Sequence, residues 1–94
     1  MVTVLTEDQV KAILLEKLYR KGKWGGAHTA SDNIKRWILP RNLGKNGRRV
    51  DKALKDLMKD GWIIQKPTHY GEQISLNPRF KSQIEGWIET HYPK

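Results

Sequence analysis

The 94-residue chain contains no cysteine, which excludes disulfide staples and thiolate metal sites. No apolar run approaches the ~20 residues of a membrane-spanning helix, and the first residues carry no signal-peptide pattern. A cytoplasmic protein is expected. The three histidines, His28, His69 and His91, fall in separate stretches without partners at ligand spacing, so neither a metal nor another cofactor is expected. The glycine-rich stretch Gly22-Lys23-Trp24-Gly25-Gly26 is no P-loop, because the GxxxxGK[ST] pattern between a strand and a helix is missing. No Ser-His-Asp order or nucleophile elbow is present. Asp51, Asp56 and Asp60 sit among cations, where they read as charge balance rather than general acids. An enzyme is not expected.

What the chain does have is positive charge, unevenly spread. The net charge of +8 gathers in the middle half: residues 20–66 carry thirteen Lys/Arg against four Asp. The first 19 residues are close to neutral, and residues 67–94 balance. A field concentrated in this way points to a polyanion partner, nucleic acid ahead of an acidic membrane. At this length a single domain with one modest core is expected.

The most informative stretch is Asn46 to Gly61. Val50, Ala53, Leu54, Leu57 and Met58 recur at helical spacing, Asn46 is suited to cap the start, and Gly61 to stop the end. Arg48, Lys52, Lys55 and Lys59 fall along the opposite side. A helix over 46–60 would thus offer one face to a core and one to an anion. Such a face can also be merely solvated, with Asp51–Lys55 and Lys52–Asp56 as ordinary i, i+4 pairs.

The remaining elements follow in order. Thr6 and Gln9 form a capping box, with Leu5 and Val10 as a staple, for a scaffold helix over 7–21 striped by Val10, Ile13, Leu14 and Leu18. Ala27 and His28 are expected to form a very short strand. Thr29 is expected to cap a helix over 30–38, with Ile34, Trp37 and Ile38 on its core face and Pro40 ending it. The short segment before the 46–60 helix then suits a helix-turn-helix. Residues 62–77 read as a β-hairpin, with Pro67–Glu72 as its loop. Asn77-Pro78 starts a last helix over 78–91, with Gly86 as a weak point. Trp62 and Trp87 also fall in apolar phase, and Trp24 is expected over the core.

The expected fold class is therefore α+β, with the element order of a winged helix-turn-helix: a three-helix core, a β-hairpin wing and a C-terminal helix. From His28 to Pro78, a little over half of the chain, the sequence resembles winged helix-turn-helix segments of small archaeal DNA-binding proteins. The resemblance is carried by His28-Thr29-Ala30, Leu39-Pro40, Leu54 and Leu57 before Gly61, Lys66-Pro67-Thr68 with Tyr70-Gly71, and Ser75-Leu76-Asn77-Pro78. It implies DNA binding without a named regulatory target.

On that reading the chain is a small transcriptional regulator that binds double-stranded DNA. The helix over 46–60 enters the major groove, with Arg48, Arg49 and Lys52 near base edges, Lys45 and Asn46 alongside, and Lys55 and Lys59 on phosphates. Lys66, Thr68, His69 and Tyr70 form a wing on the flanking backbone or minor groove. Lys35, Arg36 and Arg41 touch the backbone. Phe80 and Trp87 are candidates for a homodimer contact. Two other readings stand beside it: an RNA- or ribosome-binding winged helix, weakened by the lack of an aromatic-rich sheet for stacking bases, and a protein-interaction winged helix whose charge is incidental.

Overall fold

The computed structural model describes residues 5–38, 48–69 and 71–93, without the side chains of Lys35, Trp37 and Ile38. Helix α1, Glu7–Arg20, starts with a reciprocal cap. Thr6 Oγ1 accepts from the Gln9 amide at 3.1 Å, and Gln9 Oε1 accepts from the Thr6 amide at 2.9 Å. Strand β1, Thr29–Ala30, leads directly into α2, Ser31–Ile38. Then come α3, Arg48–Lys59, the strands β2, Ile63–Thr68, and β3, Gly71–Leu76, a single 3-10 turn at Pro78–Phe80, and α4, Lys81–His91.

Two helices stop in the same way. After α3, the Trp62 amide donates to the Leu57 carbonyl at 3.0 Å and the Gly61 amide to Met58 at 3.1 Å; after α1, Lys23 donates to Leu18 at 2.9 Å and Gly22 to Tyr19 at 3.0 Å. These paired bonds close a helix around a residue in the left-handed region. Gly22 and Gly61 take it, with φ of 67° and 81°. At Gly61 a Cβ would also lie 3.5 Å from the Phe80 ring. Gly61→Ala is therefore expected to cost about 1–2 kcal/mol through backbone strain. An unchanged midpoint in chemical denaturation would contradict this account of the helix stop.

The three strands form one antiparallel sheet in the order β1-β3-β2. Ile63 faces Leu76 at the base of the hairpin and Thr68 faces Gly71 at its tip, while Thr29 faces Ile74. Four expectations are corrected here. The short strand lies at Thr29–Ala30 rather than Ala27–His28. Thr29 consequently belongs to the sheet, and its hydroxyl oxygen accepts from Asn33 Nδ2 at 3.2 Å. The hairpin loop is shorter than Pro67–Glu72, because pairing continues through Pro67↔Glu72 to Thr68↔Gly71. β2 is an edge strand, where the amide that proline lacks is not needed by a further neighbour. The last helix also differs at its start. Asn77 Oδ1 accepts from the Arg79 amide at 3.1 Å as expected, but it caps the 3-10 turn, and α4 begins three residues later.

Helix α1 is the hub of the core. It touches α2, α3, α4 and β3. Its expected stripe is buried, and so are Ala12 and Leu15 outside that stripe. A helix covered on several sides needs apolar residues beyond one face. Around it pack Ile34, Val50, Ala53, Leu54, Leu57, Ile63, Ile74, Leu76 and Ile84. The expectations for Trp37 and Ile38 concern side chains outside the described residues. By contrast α4 buries only Ile84 fully, and Gly86 is exposed with open space where a Cβ would stand. Gly86→Ala is expected to stabilise the fold by about 0.5–1 kcal/mol, seen as a raised denaturation midpoint.

Candidate nucleic-acid interface

Helix α3 turns Val50, Ala53, Leu54 and Leu57 into the core. Arg48, Lys52, Lys55 and Lys59 are exposed on the other side. The amphipathic reading of this helix therefore matches its burial. Its basic residues do not form a uniform row, however, because α1 lies against one flank and the hairpin against the other.

On the α1 flank the two helices run in the same sense, as the order of their contacts shows. Arg49 Nη2 donates to the Leu5 carbonyl. Lys52 Nζ lies 3.3 Å from both Glu7 Oε2 and Asp56 Oδ2. Lys11 Nζ lies 3.6 Å from the same Asp56 oxygen. The hydrogen bond from Lys52 is the main reason that the Asp56 carboxyl is held below its usual value; partial burial opposes it, and the nearby Lys11 charge adds to it. Lys52 is correspondingly held above the usual lysine value, first by Asp56 and then by Glu7. The Asp56 contribution is thus present above the ordinary carboxylate value and lost as pH falls through the lowered one. The Lys52 contribution is present below the ordinary lysine value and lost as pH rises through the raised one.

On the hairpin flank an open cleft of about 740 Å³ separates α3 from β2 and β3. Lys55 and Lys59 line it from α3, together with Asp51, Leu54 and Met58. Ser31 and Asp32 line it from the start of α2, and Gln65 and Glu72 from the hairpin. Gln65 Nε2 donates to Glu72 Oε2 across the two strands. The cleft is mixed in charge, with three carboxylates facing two ammonium groups.

The other expected contacts are spread more widely. Lys66, Thr68 and His69 are exposed on β2 and the hairpin turn. The Thr68 hydroxyl donates to the Gly71 carbonyl at 2.8 Å, which closes the tip. Arg36 is exposed on α2. Lys35 belongs to α2 as well, with its side chain outside the described residues, and Arg41, Lys45, Asn46 and Tyr70 lie outside them altogether.

Phe80 and Trp87, considered for a dimer contact, are half-buried and engaged within the chain. Trp62 stacks on Phe80 with centroids 6.4 Å apart and meets Trp87 edge-on at 5.7 Å. Trp87 Nε1 donates to the Asp8 carbonyl at 3.2 Å, and Lys11 Nζ lies 6.0 Å from the Trp87 ring centroid. Trp24 rests against the core and edge-on to Tyr19 at 5.7 Å. Among the described residues no group of three or more histidine or carboxylate side chains could hold a metal ion. Among them, too, no helix is long and apolar enough to cross a membrane.

Sequence reasoning missed the carboxylates that border the basic helix. Glu7 is an acid in the first turn of α1, and nothing at a separation of 45 residues marks it as a partner of Lys52. Asp32 and Glu72 reach the cleft only because the fold brings the start of α2 and the hairpin to its rim. The Lys52–Asp56 pair was legible from its i, i+4 spacing. Comparison with protein-family models, curated proteins and solved structures finds no match to this chain.

Proposed function

We propose that the protein is a winged helix-turn-helix DNA-binding protein, acting as a small transcriptional regulator. The observation that carries the reading is the placement of an exposed basic helix beside a projecting two-stranded hairpin in a chain of net charge +8. On this reading α2 and α3 are the helix-turn-helix pair, α3 lies in the major groove, and the hairpin is the wing. Arg48, at the first turn of α3, contacts a base edge, since guanidinium matches the paired acceptors of guanine. Lys55 and Lys59 lie on phosphates, as do Lys66 and Thr68 of the wing. Arg49 is turned toward α1, so it positions α3 instead of reading a base.

Selection of bound sequences from a random duplex pool, followed by competition with structured RNA at matched salt, tests this. The expected result is an enriched duplex motif that outcompetes the RNA. No enrichment, or preference for the RNA, would overturn DNA recognition.

A further inference from the structure

Two carboxylates on the α1 flank of α3 bracket one lysine, Lys52. Glu7 comes from the first turn of α1 and Asp56 from the third turn of α3, and both oxygens stand 3.3 Å from Lys52 Nζ. The Asp56 oxygen is in turn shared with Lys11 at 3.6 Å. These side chains remain open to solvent, Lys52 at 59%, Glu7 at 62% and Asp56 at 36%. Exposed pairs of this kind add little to stability and are screened by salt. They are also easily exchanged for another anion. A basic face meant simply to attract polyanions would gain from an uncompensated lysine at this position, yet the fold brings two carboxylates to it from different helices.

We propose that Glu7 and Asp56 are specificity-determining residues of the nucleic-acid face, which hold Lys52 back from the phosphates of unselected sequences. The proposal rests on the nucleic-acid reading of α3. Nonspecific association counts neutralised phosphates, so a lysine already held by carboxylates contributes less to it. A selected site compensates, because a base-edge acceptor within reach offers Lys52 a directed hydrogen bond that a random site does not. Weakening the unselected complexes more than the selected one raises the ratio between them, which governs target finding.

The experiment compares the full chain with the Glu7→Gln/Asp56→Asn double variant on a random-sequence duplex and on a duplex from the selected pool. The affinity of the variant for random duplex is expected to rise about threefold to tenfold, with a salt slope steeper by about one. Its preference for the selected duplex should fall by a similar factor. In a Lys52→Gln background the same two substitutions should have no such effect. An equal gain in that background would reduce the effect to general loss of negative charge and overturn the proposal. So would an equal gain on both duplexes, or wild-type binding that the variant leaves unchanged. If neither protein binds any duplex at low salt, the nucleic-acid reading itself falls and takes the proposal with it. Glu89→Gln on the exposed side of α4, which removes a negative charge away from α3, is the control and is expected to leave both affinities unaltered.

Discussion

Leu14→Ala is expected to lower the free energy of unfolding by about 2–5 kcal/mol. Leu14 is fully buried in the middle of α1, the helix that α2, α3, α4 and β3 all contact. Truncating it opens a cavity that elements on several sides would have to move together to close, so relaxation is limited. A loss of that size is a large fraction of the stability of a domain this small. Leu54→Ala on α3 should behave similarly, as Leu54 is 3% exposed. Ile64→Ala is the contrast: Ile64 is 39% exposed on the edge strand, and its truncation should cost well under half as much. Chemical denaturation of the three variants checks the ordering. A Leu14→Ala loss below about 1 kcal/mol would mean that α1 is not the hub described here.

Most of this architecture was legible because its signals are local. The capping box of Thr6 and Gln9, the apolar spacing of Val50, Ala53, Leu54 and Leu57, and the stop at Gly61 each depend on residues within a few positions of one another. The hairpin was visible in the alternation of Gln73 to Leu76. Its true loop length was not, since Pro67 argues for a break unless its strand is known to lie at an edge. The shift of β1 has a similar origin. A two-residue strand is defined by its partner, here Gln73 and Ile74, and nothing in Ala27 to Ala30 marks which pair will be used. The centrality of α1 was also hidden, because a helix with four apolar residues on one stripe looks like a one-sided scaffold until Ala12 and Leu15 are seen to be covered.

The candidate site was legible in its cations and illegible in its anions. Charge concentration and helical phase brought out Arg48, Lys52, Lys55 and Lys59. They could not show that Arg49 bonds to the Leu5 carbonyl, that Glu7 meets Lys52, or that Asp32 and Glu72 share a cleft with Lys55. Those pairings join segments distant in sequence, and a surface pair leaves no periodic trace. On the proposed reading the consequence is a division of labour along α3: Arg49, bonded to the Leu5 carbonyl, orients the helix, and residues farther round offer charge to a partner.

That division gives the second large effect. Arg48→Ala is expected to cost about 1–3 kcal/mol of binding to a selected duplex and to blur preference at one base position. Lys55→Ala should weaken all sequences alike. Arg20→Ala, at the far end of α1 and paired with Glu16, should change neither. Equal small losses from all three substitutions would reduce the interaction to a diffuse attraction by net charge.

The most direct test of DNA binding through α3 and the hairpin is the salt dependence of affinity for a selected duplex, measured for the wild type and for Lys55→Ala. If the face neutralises about five phosphates, log affinity should fall with log salt at a slope near −4 to −5, and Lys55→Ala should make that slope shallower by about one. A wild-type slope near zero, or a slope that Lys55→Ala leaves unchanged while Arg20→Ala reduces it, would contradict the account.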